Sequence, residues 1–186
     1  MNQINTKYHK TEIGELVLGS FGGRLCVLGS AGDVTARALN ARFVVQDDDI
    51  LERTGRQLDE YLGGTRKEFD IPLLLVGTDF QKSVWNALLQ VPYGATASYL
   101  QIARAIGKEK AVRAVGNACG ANPIGIIVPC HRIIGSDGSL VGYGGGLSLK
   151  RRLLTLEQGN AATLGALNTD ARYVGDNRPL CKEDTG

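Results

Sequence analysis

The sequence predicts an α+β protein: a small N-terminal sheet-and-helix domain over residues 1–77, a mostly helical domain over 78–159, and a loose tail over 160–186. Three observations carry this prediction. Short β-like runs bounded by glycines open the chain, helical spacing with capping signals takes over at Thr78, and neither period persists beyond Gly159. A length of 186 residues with 43% hydrophobic content suits one ordinary globular domain or two small ones.

In the first third, EIGELVLGS and GRLCVLGS flank Gly22-Gly23 and read as a hairpin. Residues 49–62, DILERTGRQLDEYL, place Leu51, Leu58, Tyr61 and Leu62 at helical spacing, and Gly63-Gly64 stops them. FDIPLLLV then returns to β character. These parts have a packing explanation and no chemical one, so they are assigned a scaffold role. The polar start MNQINTKYHKTE lacks the apolar segment of a secretory signal, and no stretch approaches the roughly 20 apolar residues of a membrane span. The expected location is therefore the cytoplasm.

From Thr78, T-D-F-Q has the form of a capping box and opens FQKSVWNALLQ, with Phe80, Val84, Trp85 and Leu88 on one side. VPYG ends that helix. Ser98–Gln101 repeats the capping-box form, opens YLQIARAI, and is closed by Gly107; a second short helix, EKAVRAVGNA, follows at once. Two short helices about a tight glycine-containing turn read as a helix-turn-helix. Then come a strand-like IGIIV, a PCHR corner, a glycine-rich loop IGSDGSLVGYGGGL, and a closing helix LSLKRRLLTLEQ with Leu149, Leu153 and Leu156 as its apolar stripe and Gly159 as its stop.

The net charge of +2 is unevenly spread. Residues 80–159 carry nine lysines and arginines against Glu109, Asp137 and Glu157, which leaves the remainder of the chain acidic. That asymmetry suits a domain meeting a polyanion, and equally a solvated basic face. The cysteines, Cys26, Cys119, Cys130 and Cys181, are widely spaced with no CxxC pair, so neither disulfides nor a structural metal are expected. His9 with Cys26 is too sparse a set to make a metal site.

Cys130 stands beside His131 in VPCHR. A free thiol has a pKa near 8.5 and needs a base or a positive charge to become reactive, and His131 and Arg132 are at hand. Neighbouring side chains diverge, so a water bridging Cys130 and His131 is the more natural geometry than a direct bond. A carboxylate must then orient the imidazole; Glu157 and Asp137 are the candidates. A lone Cys-His pair is more often an inert buried thiol, and only its neighbours shift that balance.

Those neighbours, FQKSVWNALLQVPYGATASY and AVRAVGNACGANPIGIIVPCHRIIGSDGSLVGYGGGLSLKRRLLTLE, resemble the O6-alkylguanine-DNA alkyltransferases over roughly residues 78–158, in unbroken motif order. The resemblance implies a ribonuclease H-like N-terminal domain and a winged-helix or helix-turn-helix-like second domain. It implies that Cys130 takes the alkyl group from O6 of guanine, and from O4 of thymine, in DNA. His131 would deprotonate the thiol through water, Glu157 would orient His131, and Tyr99 would donate to guanine N3. It further implies that Arg113 fills the gap left by a flipped base and that Ala114, Gly116, Ala118 and Gly120 let the recognition helix approach the minor groove. Asn122 would link that helix to the active-site turn. Tyr143 with Gly144, Gly145 and Gly146 would wall the pocket, the carbonyls of Cys130 and Ile133 would hold the exocyclic amine, and Arg132 joins the substrate-binding set. The family pattern departs at Gly125, where some members carry proline.

A thioether at Cys130 has no easy route back to a thiol, so the implied enzyme is a single-turnover methyltransferase acting as a monomer, without metal or diffusible cofactor. Two other classes compete. A non-catalytic helix-turn-helix protein that binds lesions or regulates would not need Cys130, and a cysteine hydrolase would need an oxyanion site and turnover.

Overall fold

The structure is a computed structural model and describes residues 2–29 and 32–159. The tail predicted over 160–186 lies outside the described residues. Among the described residues the chain falls into two compact units, one reaching to Lys82 and taking in Ala121–Val128, the other made of Ser83–Gly120 and the residues from Pro129 to Gly159.

The first unit holds a four-stranded sheet in the order β3-β2-β1-β4: β1 Asn2–Thr11, β2 Gly14–Phe21, β3 Arg24–Leu28 and β4 Ala41–Val45. β2 and β3 form the predicted hairpin about Gly22 and Gly23, both at positive φ. β1 pairs antiparallel with β2 and parallel with β4, which follows the short helix α1 Gly32–Ala38. Neither β1 nor β4 was predicted. β1 is hidden from a hydropathy reading because its odd-numbered face is held by polar pairs: Asn5 with Asp48 at 2.8 Å, Lys7 with Glu52 at 2.7 Å, and His9 with Asp59 at 2.9 Å. Cys26 lies instead in the apolar core with Ile4 and Val27, so His9 and Cys26 make no site together.

Helix α2, Asp49–Leu62, forms as predicted and buries Leu51, Leu58, Tyr61 and Leu62. Its N-cap Asp48 accepts from the Leu51 N–H and also from Asn5 and Ser20, tying the helix to two strands. Burial would raise the Asp48 carboxyl, but the hydrogen bonds from Ser20, Asn5 and the helix N–H groups hold it below its usual value. FDIPLLLV does not form a strand. Only a bridge forms, through Leu25 N–H to Pro72 O at 2.9 Å and Leu74 N–H to Leu25 O at 2.8 Å, and Pro72 itself has no N–H to extend it.

IGIIV is likewise a tight turn and not a strand. Leu28 donates to Pro123 O and accepts from Gly125, and Ile127 N–H then reaches back to Gly125 O at 2.7 Å about Ile126, whose φ is 67°. An i→i+2 bond around a positive-φ, β-branched residue is a strained γ-turn. Asn122 closes this segment, donating to Val128 O at 2.8 Å and accepting from the Ile124 N–H at 3.0 Å.

The division between the units falls inside α3, Asp79–Leu88, which opens on the predicted Thr78–Gln81 capping box. In the second unit α4, Tyr99–Ala105, carries the predicted Ser98–Gln101 capping box, and a 3-10 turn, Glu109–Ala111, leads into α5, Val112–Gly120. This is the predicted helix-turn-helix pair. Trp85 anchors its second helix by donating Nε1–H to Ala118 O at 2.8 Å. After a 3-10 turn, Cys130–Arg132, strand β6 Ile133–Ile134 pairs parallel with β5 Ala97–Ser98. The closing helix α6, Leu147–Gln158, ends at Gly159 in the left-handed conformation. Its buried positions are Lys150, Leu153, Leu154, Thr155 and Glu157, while Leu149 and Leu156 of the predicted stripe are half-buried. No described helix is long and apolar enough to cross a membrane.

Candidate active site

The PCHR corner is a 3-10 turn, in which successive side chains diverge by about 120°. Cys130 consequently keeps 9% exposure, whereas His131 has none. His131 Nε2 meets Glu157 Oε1 at 2.7 Å. Arg132 forks onto the same carboxylate, with Nε to Oε2 at 2.9 Å and Nη2 to Oε1 at 2.9 Å, and its Nη1 donates to Val91 O at 2.6 Å. The Gly94 N–H adds a further donor at 3.1 Å. Glu157 therefore orients His131, and Asp137 is a loop residue bonded to Ser139.

The charge states follow from these contacts. Burial alone would raise the Glu157 carboxyl, but the His131 hydrogen bond and the Arg132 guanidinium outweigh it and hold it at about 2. Burial keeps His131 below its ordinary value against the pull of Glu157, so the imidazole is neutral at neutral pH. An ionised carboxylate only accepts, so Nε2 carries the proton and Nδ1 presents the lone pair.

In front of Cys130 lies a cavity of about 180 Å3 lined by Tyr99, Gly116, Cys119, Gly120, Gly142, Tyr143 and Gly144 as well as Cys130 itself. Burial and the neighbouring thiols push the Tyr99 phenol up to about 12, so it remains a donor at neutral pH; it is bonded to Val141 O at 3.1 Å. Burial also raises Tyr143 and takes the Cys119 thiol to about 12.

The family description "6-O-methylguanine DNA methyltransferase, DNA binding domain" matches residues 79–159, and its "ribonuclease-like domain" matches residues 4–75. The methylated-DNA–protein-cysteine methyltransferase of Mycobacterium leprae is 44% identical over 86% of this chain and 96% of its own. The chain belongs to the 6-O-methylguanine DNA methyltransferase family. The inducible enzyme of Bacillus subtilis is 55% identical over 62% of this chain, a match spanning 65% of that relative, just under two thirds. The Mycobacterium tuberculosis protein in complex with DNA superposes with a TM-score of 0.72 at 44% identity, covering 84% of this chain and 93% of that one.

Against the family pattern, the structure brings Cys130, Tyr99, Gly116, Tyr143 and Gly144 to one cavity and sets His131 with Glu157 in the same turn-and-helix assembly. Arg113, Ala114 and Gly120 lie exposed on α5. Ala118 does not share that face. It is buried, with its carbonyl engaged by Trp85. Gly145 does not line the cavity; an added Cβ there would stand 3.0 Å from the Tyr143 ring, so it lets that ring pack. Arg132, expected among the substrate contacts, is buried on Glu157 and Val91 and does not line the cavity. The Ile133 carbonyl accepts from Lys150. Sequence reasoning missed Cys119, Gly94 and Lys150. Gly94, at φ 77°, was legible only as a helix stop, and Lys150 only as a basic residue.

Proposed function

We propose that this protein repairs DNA by direct reversal, moving the alkyl group of O6-alkylguanine onto Sγ of its own Cys130. The observation that carries the reading is a thiol facing a small cavity, backed by a neutral histidine whose tautomer a buried carboxylate fixes. His131 Nδ1 takes the thiol proton through a water, and Glu157 and its hydrogen bond stabilise the imidazolium that forms. The thiolate attacks the alkyl carbon, the carbon–O6 bond breaks, and its electron pair leaves with guanine. Tyr99 supplies the proton or hydrogen bond at N3, its hydroxyl turning from Val141. O4-alkylthymine follows the same displacement.

The cavity is below the roughly 300–1,000 Å3 of drug-sized sites, which suits one flipped base with a short alkyl group rather than stacked duplex. Exposed Arg113 enters the space the base vacates, and the small residues beside it, Ala114 and Gly120, admit α5 to the minor groove. Asn122 keeps the 122–128 segment closed between α5 and the reactive turn. Residues 78–159 carry this chemistry, residues 1–77 act as scaffold, and the protein works as a monomer in the cytoplasm.

The test is intact-protein mass spectrometry after mixing with duplex DNA carrying one O6-methylguanine, followed by peptide mapping. One methyl per chain on Cys130, stopping at one equivalent and abolished in Cys130→Ala while DNA binding persists, is the expected result. Tight binding with an unchanged mass would replace this reading with a lesion-binding protein.

A further inference from the structure

Eight residues line the cavity in front of Cys130, and four of them are glycines. The others are two phenols, Tyr99 and Tyr143, and two thiols, Cys119 and Cys130. Gly116, Cys119 and Gly120 are spaced i, i+3 and i+4 on α5, so one face of that helix offers the cavity a single side chain, the Cys119 thiol. Cys119 is 8% exposed, close to the 9% of Cys130, and both belong to the same compact unit. Cys26, by contrast, lies in the apolar core of the other unit with no exposure. None of these three cysteines is in a disulfide. The transfer chemistry uses one thiol of the cavity pair and leaves Cys119 without a part in it.

We propose that Cys119 is a resolving thiol: once a peroxide has oxidised Cys130, Cys119 captures it as a Cys119–Cys130 disulfide that occupies the cavity until small thiols reduce it. The disulfide stands on the shared cavity, and its consequence for repair rests on the reading of Cys130 as alkyl acceptor. The Cys130 thiolate attacks one oxygen of hydrogen peroxide. An S–O bond forms, the O–O bond breaks, and hydroxide leaves as water with the proton that the thiol gave up. Sulfur is thereby oxidised to the sulfenic acid and the peroxide is reduced. The Cys119 sulfur then attacks the Cys130 sulfur, the S–S bond forms, and the hydroxyl departs with the Cys119 proton as a second water.

Environment divides the two roles. Cys130 has the neutral His131 beside it to ionise it, whereas burial, and then the charge on Cys130, hold Cys119 at about 12. Cys119 is therefore protonated at neutral pH and is the poorer target for peroxide. Ionisation of Cys130 is felt at Cys119, so the two thiols lie within electrostatic reach of each other. A disulfide needs Cα atoms about 4.4–6.8 Å apart. Cys119 sits one residue from the end of α5, where helices fray, and an added Cβ at the following Gly120 would meet nothing within 4 Å. The backbone there has room to yield as the bond closes. An acceptor used once is lost for good if it reaches the sulfinic or sulfonic acid, and the disulfide halts it at a stage that thiols reverse. Cytosolic disulfides are of this transient kind.

The experiment treats the full chain and its Cys119→Ser variant with hydrogen peroxide, then reads intact mass and a non-reducing peptide map before and after dithiothreitol. The unmodified protein should lose two hydrogens, yield a linked Cys119–Cys130 peptide pair with Cys26 still a thiol, and return to its starting mass on reduction. In Cys119→Ser, Cys130 should instead climb to the sulfinic and sulfonic acids. The fraction of Cys130 that dithiothreitol cannot recover should be about tenfold or more higher in the variant, because a thiol held in the same cavity outruns a second peroxide molecule. Equal irreversible oxidation in the two proteins, or a bond from Cys130 to Cys26 or Cys181 in place of Cys119, overturns the proposal. Should the variant not fold, the peptide map of the unmodified protein decides alone. Methyl transfer by the reduced, unmodified protein separates the two readings. A linked pair in a protein that transfers no methyl removes Cys130 as acceptor and keeps the resolving thiol, while transfer without a linked pair does the reverse.

Discussion

Glu157→Gln tests both the electrostatics and the chemistry of the site. Four N–H donors, from His131 Nε2, Arg132 Nε and Nη2 and the Gly94 backbone, converge on the two oxygens of a side chain with no exposed surface. The amide keeps one oxygen and presents an NH2 where the other stood, so at least one donor faces a donor and the Arg132 guanidinium loses its counter-charge. A lost hydrogen bond to a charged group costs about 1.5–3 kcal/mol, and breaking a buried ion pair about 3–5 kcal/mol in all. For a chain of this size that is a fall in Tm on the order of 10 °C. The variant should also lose roughly 100-fold or more in transfer rate, because the tautomer and the imidazolium both lose their support. Calorimetry and quenched-flow methyl transfer, performed on the same preparation, read the two effects. Adding Arg132→Met should recover stability without recovering rate. A single variant within about 1 kcal/mol of the parent would refute the buried-pair account, and an unchanged rate in folded protein would remove His131 as the base.

Acid should act through the same carboxylate. Its folded pKa of about 2 lies below the ordinary 4.5, so its contribution, up to about 3 kcal/mol, is present above 4.5 and is lost as pH falls toward 2. Urea titrations across that range should show the loss in the parent and not in Glu157→Gln. Arg113→Ala should slow transfer from duplex DNA at least about tenfold while sparing free O6-methylguanine base, and equal loss on both substrates would deny Arg113 a part in base flipping. Gly94→Ala should cost about 1–2 kcal/mol, because its φ of 77° disfavours a side chain and the new Cβ would stand 3.3 Å from Glu157 O; an unchanged midpoint in urea counts against that strain. Gly125→Pro removes the N–H that donates to Leu28 O at 3.0 Å and should lower Tm by a few degrees, with no shift excluding that bond as a support of the turn.

The sequence was most readable where capping and apolar period agree. Thr78 and Ser98 each sit at a true helix start, and α2 buries the four residues its spacing marks. It was least readable where charge is buried. The buried positions of α6 are 150, 153, 154, 155 and 157, but Lys150, Thr155 and Glu157 do not register as apolar, and Leu149 and Leu156 stand out in their place. β1 was missed for the same reason, since Asn5, Lys7 and His9 meet carboxylates where a hydropathy reading looks for leucines. The PCHR motif located the reactive turn, whereas the fork of Arg132 onto Glu157 depends on a meeting of residues 25 apart that no local pattern encodes.

The family descriptions divide this chain into two successive stretches, but residues 121–128 fold with the unit that begins at the N-terminus. Leu28 serves as their anchor, giving its N–H to Pro123 and its carbonyl to Gly125. The two stretches are therefore not interchangeable cassettes. A fragment starting at Thr78 would keep every side chain of the reactive turn yet release the strained bend that delivers the chain to Pro129, and a chimera made with a relative's first domain must reproduce one backbone position, Leu28, before it can inherit the chemistry.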